Sequence, residues 1–588
     1  MTFLTRFWPW LSCILAGLAM VLCFPPFQLS DFVWVAPVLL LAPLWSERRP
    51  SRKRQLLALG FLSGMVFWSL NLKWIATVAG AGYLVLCVYL SVYFALFSLF
   101  AGTVGNPFAR RAGSPNKPDE LSPAAKALRS LGFAALNAGV WSGLEWLRGW
   151  LFTGFGWNGL GVAFHNKLPM AQGAELVGVY GLSFLPVFLG AVLVQAGKRV
   201  WRTAKEGRTE RHWDFLVTVV SLAIIFVLGM LRIGSINKAE TSPLQVLLVQ
   251  ADVPQSAFNP AMTPDEIIEA LEEETVAGLA AVEKLNEERI AQVEQEVELE
   301  SVDWVIWPEV VLYPILTAND ERSWLTIPTE EVVTRLNALG VRTFIAGLNE
   351  WDAEVRDGQP VPIEGGKQYN TMAAFEGDEF SSYRKQHLVI YGEFIPFSES
   401  SPIPGKIYEL VAGIAWPGNM GRGVGAEGFE LGGAGGDVAV IPSICFEDTV
   451  PRVTRKFSKE TREVIVNITN DGWFGTSEGS AQHFANALFR SIELRRPMMR
   501  SANRGVTGVV SATGSLVDYQ TGRVQALFDD EGKPFARGSL HATVRVPEEG
   551  GRTIYARFGD WFPALGLMVA AGWSAWFFLR ERRSSRHR

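Results

Sequence analysis

The chain has 588 residues, 48% of them hydrophobic and only 19% charged, with 21 tryptophans and a formal net charge of -5. That is too apolar for a purely soluble protein of this length, and the negative balance argues against a nucleic-acid partner. Length alone leaves room for two or three domains. A bilayer crossing needs about 20 apolar residues, and the candidates in chain order are 8–25, 31–46, 56–76, 79–104, 130–150, 174–197, 214–233 and 560–580. The first runs into "CFPPF" rather than a small-residue cleavage site, and more spans follow, so it is not read as a cleaved signal peptide.

Loop charge then sets the orientation. Basic residues crowd into alternate loops: Arg48, Arg49, Arg52, Lys53 and Arg54; then Arg110, Arg111, Lys117, Lys126 and Arg129; then Lys198, Arg199, Arg202, Lys205, Arg208 and Arg211; and finally the tail "RERRSSRHR". The loops between them carry almost none. By the positive-inside rule both termini are expected in the cytoplasm and residues 234–559 on the opposite side. The expected organisation is a seven-helix membrane domain over 1–233, an extramembrane domain over 234–555, and a last membrane helix with a basic cytoplasmic tail over 556–588.

From about residue 243 the pattern changes. "LQVLLVQADV" (244–253) reads as a buried strand. Residues 263–301 read as a helix that Thr263 N-caps, with Pro264 in its first turn and acidic residues complementing the dipole. Strands are expected at 302–309, 342–351, 371–377, 437–447 and 463–471, with a helix at 480–497, a hairpin at 505–520 turning at "ATG", and a long Gly-rich loop at 413–436. Strands alternating with helices indicate an α/β layer structure.

Three of these strand ends carry reactive groups, where α/β folds place chemistry. Glu309 ends "VIWPE", Lys385 follows a β-like run, and Cys445 ends "VAVIPSIC". Cys445 is the only cysteine after residue 88. In an oxidising compartment a thiol with no partner is either a small buried hydrophobe or a nucleophile. A carboxylate, an ammonium and a thiol make a complete acyl-transfer set. The carboxylate takes the thiol proton, and the ammonium lowers the thiol pKa and stabilises an oxyanion, with the Phe446 backbone N–H as a second donor.

The segments "WPE", "KQHLVIYGEFIP" and "ICFED", in that order, resemble the Glu–Lys–Cys nitrilase superfamily. With "NDGWFG" (470–475), "QHF" (482–484), "IELRRPMMRSANRGVTGVV" (492–510) and the eight spans, the whole chain resembles its membrane-bound branch, the apolipoprotein N-acyltransferase family. Departures are mild. Ile390 and Tyr391 stand where the family often has Pro and Phe, and Phe446 stands where Tyr is common. The resemblance implies a nitrilase-like αββα sandwich inserted between transmembrane helices 7 and 8 of an eight-helix bundle. It implies Glu309 as general base, Lys385 as oxyanion and thiolate stabiliser, and Cys445 as nucleophile, with no cofactor. Glu393 matches a family carboxylate and is assigned to orienting Lys385, against a structural salt bridge. Glu447 matches a position beside the cysteine, in a supporting or a structural role.

Other residues have bland readings beside sharp ones. Trp473 and Phe474 are either core or the apolar wall of an acyl pocket, whereas Trp304 and Trp307 sit inside a strand and read as core. His387 and His483 lack a ligand cluster at metal-binding spacing. Glu145, with Arg148 one helical turn later, is a functional candidate as an intramembrane acid, with a local ion pair near the membrane surface as the cheaper reading. The expected function is transfer of a fatty acyl chain from a phospholipid, through a Cys thioester, to the N-terminal amine of an S-diacylglyceryl apolipoprotein, at the bacterial inner membrane with the catalytic domain in the periplasm. A membrane-anchored amidase or nitrile hydrolase leaves eight spans unexplained. A transporter or receptor with a non-catalytic outer domain leaves the nucleophile set unexplained.

Overall fold

The computed structural model describes residues 2–45, 53–80, 82–109, 122–206, 211–255, 262–292, 299–318, 322–377, 379–412, 416, 418–433 and 435–586. Of the basic residues that set the expected orientation, Arg48, Arg49, Arg52, Arg110, Arg111, Lys117, Arg208 and Arg588 lie outside these, as do parts of the Gly-rich stretch. The chain divides into two compact units, Met1–Gly234 with Phe558–Arg588, and Ser235–Arg557.

The first unit is helical. Its main helices are α1 (Thr2–Leu22), α2 (Ala36–Leu44), α3 (Lys53–Asn71), α4 (Gly82–Gly102), α5 (Pro123–Arg148), α6 (Phe184–Glu206) and α7 (Trp213–Asn237), and the chain returns to it with Trp561–Arg586. The expected spans are mostly helical, but 31–46 holds a 3-10 turn (Ser30–Trp34) and then α2, and 174–197 is split into Ala174–Leu182 and α6; among the described residues only Gly82–Gly102, Phe184–Lys205, Trp213–Asn237 and Trp561–Arg580 are by themselves long and apolar enough to cross a membrane. Ser122 starts α5 by accepting from the Ala125 N–H, with Pro123 at the first helical position. Small residues let α5 meet the returning helix closely. A Cβ on Gly139 would lie 3.2 Å from the Gly566 Cα, and one on Gly566 would lie 2.7 Å from the Gly139 carbonyl oxygen.

Glu145 and Arg148 correct the expectation of a surface ion pair. Both are buried. Glu145 accepts hydrogen bonds from Trp141 Nε1 (2.7 Å), the Leu160 N–H (3.0 Å) and the Ser183 hydroxyl. Arg148 donates to the Trp157 carbonyl (2.9 Å) and lies 4.6 Å over the Trp68 ring. The two charges thus fasten the non-helical stretch after α5, whose backbone polar groups need partners where no water reaches.

The second unit is α/β. Its strands are β1 (Thr241–Gln250), β2 (Trp304–Ile306), β3 (Leu312–Ala318), β4 (Arg322–Leu325), β5 (Thr343–Arg356), β6 (Gln359–Pro362), β7 (Gln368–Glu376), β8 (Glu379–Arg384), β9 (Glu430–Leu431), β10 (Val438–Ile444), β11 (Glu463–Thr469), β12 (Met498–Ala502), β13 (Gly508–Val510) and β14 (Gly538–Pro547). Among the described residues they form a nine-stranded sheet, β14-β1-β2-β5-β3-β4 with β6, β7 and β8 attached through β5, and a five-stranded sheet, β13-β12-β11-β10-β9. The sheets are tied through buried hydrogen bonds from the Ser501 hydroxyl on β12 to the carbonyls of Val249 and Ile306. Helices α8 (Pro264–Gln292) and α9 (Ile327–Ala338) bring Ile268, Leu271, Val332 and Leu336 into the core beside Leu247, Trp307 and Phe344 of the larger sheet. Thr263 caps α8 as its sequence indicates, accepting from the Glu266 N–H while Glu266 accepts from the Thr263 N–H.

Three expected elements differ. The 302–309 strand is only Trp304–Ile306, because Pro308 and the left-handed Val310 end it. The 480–497 helix breaks into α10 (Gly479–Ala487) and α11 (Phe489–Leu494), and Arg495 is left-handed after the second. The 505–520 segment does turn at Gly514, but β13 pairs with β12, and a second turn brings Gln525 and Ala526 beside it.

Candidate active site

Parallel pairing sends β2, β5, β10, β11 and β12 the same way within their sheets, so their carboxyl ends present residues to a common edge of each sheet. Glu309 sits on the bend after β2. Val311 donates its N–H to the Gly347 carbonyl, and Gly347 donates to the Pro308 carbonyl. Only glycine fits at 347, since a Cβ there would lie 2.4 Å from the Val310 nitrogen. Lys385 follows β8, anchored by its N–H to the Asn370 carbonyl. Its buried Nζ donates to Glu393 Oε1 (2.8 Å) and Glu309 Oε1 (3.4 Å). Asn370 completes the group: its Nδ2 donates to the same two oxygens, at 2.7 Å to Glu309 and 3.1 Å to Glu393. The other Glu393 oxygen accepts the Val389 N–H. Of the two carboxylates, Glu393 is the nearer to Lys385.

Cys445 occupies a sharp corner. β10 ends at Ile444, and Cys445 adopts φ 50°, a left-handed value that costs a non-glycine residue energy and clusters at functional sites. A short 3-10 turn, Cys445–Thr449, follows at once. Cys13, Cys23 and Cys87 are buried, whereas Cys445 is partly exposed. The buried carboxylate of Glu447 locks the corner, accepting from the N–H groups of Ile444 (2.9 Å), Gln386 (2.7 Å) and His387 (2.9 Å) and from the Tyr383 hydroxyl. It pins the segment carrying Lys385 to the strand carrying Cys445. Phe446 lies against His387, ring centroids 5.9 Å apart. Burial, with the cations Arg452, Lys385 and Arg422, drives His387 down to about 3, so this ring is neutral.

The charges of Glu309 and Lys385 both act on the Cys445 sulfur. Burial and the Glu309 carboxylate push the thiol well above its ordinary value, and Lys385 opposes them without prevailing. The expectation that Lys385 lowers the thiol pKa holds for its own contribution but not for the net result, and at neutral pH Cys445 carries its proton. Lys385 itself would be destabilised by burial, but Glu393 and Glu309 outweigh that and hold it firmly protonated.

Behind Cys445 lies a second, wholly buried group of charges. His483 is clamped between Asp448 (Nε2–Oδ1, 2.8 Å) and Asp471 (Nδ1–Oδ1, 2.7 Å). Arg500, in the middle of β12, reaches Asp471 (3.1 Å), Asp448 (3.5 Å) and the Val506 carbonyl (2.8 Å). Burial disfavours the imidazolium, yet Asp448 and Asp471 lift His483 to about 9. Burial likewise opposes the Asp471 carboxylate, and His483 and Arg500 bring it down to about 2. His483 is a salt-bridge partner here. Trp473 is 45% exposed and so is no core residue, while Phe474 meets the His483 ring edge-on. Sequence reasoning missed Asn370, Thr469, Asp448, Asp471 and Arg500. "NDGWFG" and "MMRSANRG" held the last two in view, since an Arg inside an apolar run signals a buried anion.

Residues 16–192 match the family described as Apolipoprotein N-acyltransferase N-terminal domain, and residues 268–534 match Carbon-nitrogen hydrolase. The chain is 30% identical to an apolipoprotein N-acyltransferase of Bordetella bronchiseptica, over 94% of each chain, and 27% identical to one of Geobacter metallireducens, over 98% of this chain and 96% of that one. An amidase from Nesterenkonia sp. aligns with 54% of this chain and 94% of its own at 12% identity and a TM-score of 0.29. With its helical unit, its carbon-nitrogen hydrolase unit and near full-length relatives all agreeing, the chain belongs to the apolipoprotein N-acyltransferase family.

Proposed function

We propose that this membrane protein transfers a fatty acyl chain from a phospholipid, by way of a thioester on Cys445, to the N-terminal amine of the S-diacylglyceryl-cysteine of apolipoproteins. The observation that carries the reading is the convergence on the Cys445 corner of a buried Lys385 held between two carboxylates, Glu393 and Glu309. Glu309 takes the thiol proton as sulfur attacks the phospholipid ester carbonyl. The oxyanion faces the Lys385 ammonium and the Phe446 N–H. Its collapse expels the lysophospholipid oxygen, which recovers the proton from Glu309 and leaves the thioester. In the second half the neutral amine attacks the thioester. Its proton passes to Glu309 and then to the departing Cys445 sulfur, so the enzyme is restored.

Because the thiol is protonated at rest, base removal coincides with attack rather than preceding it. Glu393 and Asn370 keep Lys385 aimed, Glu447 holds the corner, and Trp473 and Phe474 form the wall of the acyl pocket. The seven-helix domain 1–233, catalytic domain 234–555 and closing helix and tail 556–588 follow the same reading. So does insertion of a nitrilase-like αββα sandwich between helices 7 and 8, with that domain in the periplasm and both termini in the cytoplasm. Alternating basic loops support the orientation. Incubation with phospholipid alone should add an acyl mass to Cys445 and release lysophospholipid. If no mass is added and lysophospholipid appears only when both substrates are present, direct transfer replaces the thioester.

A further inference from the structure

We infer that Thr469 is a further catalytic residue, its hydroxyl switching from Asp471 to the Cys445 sulfur as the thiolate forms. The inference rests on Cys445 being the nucleophile. β10 and β11 run parallel with Ile444 opposite Ile468, so the next residues, Cys445 and Thr469, stand side by side where the two strands end. Thr469 is fully buried. That placement sets its hydroxyl beside the Cys445 side chain, where donation to the sulfur favours the thiolate. The same Oγ1 lies 3.5 Å from Asp471 Oδ1, at the long limit for donation. A hydroxyl has one proton and two lone pairs. Beside a thiol it donates to Asp471 and leaves the sulfur to Glu309. Once Glu309 has taken the thiol proton, the hydroxyl turns and donates to the anionic sulfur. No proton leaves Thr469. The single transferred proton moves from sulfur to the Glu309 carboxylate.

The surroundings make the switch inexpensive. Asp471 does not depend on Thr469, because His483, Arg500 and Ser480 (2.9 Å) already hold it. These partners also keep Asp471 from competing for the thiol proton. The gain arises on the sulfur, where a hydrogen bond to an ion is worth about twice one between neutral groups. Burial and the Glu309 charge otherwise oppose the thiolate there. The charged groups facing the sulfur are Glu309, Lys385, Asp471 and Arg500, with Glu393 behind Lys385 and with His483 and Asp448 behind Asp471.

The test is alkylation of Cys445 by neutral iodoacetamide in the full-length protein, followed by mass mapping from pH 6 to 10. Far below the thiol pKa the logarithm of the rate climbs with pH. Thr469→Val, near-isosteric but without a hydroxyl, should run parallel to wild type and lower by about tenfold or more, the scale of a hydrogen bond to a charged group. Acyl transfer should fall by a similar factor. Thr469→Ser should recover most of both rates. If the valine variant does not fold, Thr469→Ala is read in its place. A folded variant whose alkylation line coincides with wild type overturns the inference, as does a serine variant no better than valine. Absence of an acyl thioester on the wild-type protein would instead overturn Cys445 as nucleophile, so the two failures are distinguishable.

Discussion

At the scale of single residues, the proposed mechanism separates the group that moves a proton from the groups that aim it. Glu309→Gln keeps the size of the side chain and removes the base. It is expected to lower lysophospholipid release by about 10²–10⁴-fold, the usual span for general-base assistance, with little change in melting temperature. A folded variant with near-normal release would remove Glu309 from the mechanism. Asn370 makes a different prediction. It touches both carboxylates that flank Lys385, so Asn370→Leu leaves two buried anions short of a donor. The expected result is a lower kcat with KM for phospholipid held within about twofold, because the damage is to alignment rather than to substrate binding. A change confined to KM would place Asn370 in the substrate pocket instead.

At the scale of elements, the buried ion cluster fastens the turn after β10, the turn after β11, α10 and β12 through Asp448, Asp471, His483 and Arg500. His483 is raised to about 9 from an ordinary value near 6.5. Its contribution to stability is therefore complete below about pH 6.5 and is lost as pH rises through 9, a difference on the order of 3 kcal/mol. Asp471 has the opposite sign, contributing above about pH 4 and failing as pH falls toward 2. Melting temperature should decline between pH 7 and 10 in the wild type, and that slope should flatten in His483→Gln. An unchanged slope would mean that another group titrates. Little of this cluster could be read from sequence. β10 and β11 announce themselves as unbroken apolar runs, so the corner carrying Cys445 was legible to within a residue or two. β12 was not, because Arg500 interrupts its hydrophobic pattern and the anions that neutralise it come from 448 and 471, far away in the chain. Glu309, Lys385 and Cys445 could be found because each ends a strand-like run. Asn370 sits inside β7, where an amide looks like any other strand polar residue.

At the scale of the whole molecule, the proposed reading sets the α/β unit on one side of a membrane and both chain ends on the other. Orientation is testable with a membrane-impermeant maleimide. Asp357→Cys, in the exposed turn between β5 and β6, should be labelled in intact cells whose outer membrane has been opened. Ser584→Cys, in the basic tail, should be labelled only after the inner membrane is permeabilised. The reverse pattern would invert the topology. Composition was enough to find the apolar helical stretches, but not to foresee that Glu145 and Arg148 turn inward. Pairwise spacing on a helix says that two charges can meet, and only the fold says that each has found better partners.

The close contact of Gly139 with Gly566 also sets a timetable. α5 leaves the ribosome about 410 residues before the helix that must lie against it. At about 5–20 residues per second, the face around Gly139 and Gly143 waits tens of seconds for its neighbour, while the entire α/β unit is made. During that interval the helical unit is a half-finished object with an unfilled seam. Any pause in making the α/β unit prolongs the exposure of that seam. Completion of the helical unit is thus paced by synthesis of the α/β unit that lies between its two parts in the chain.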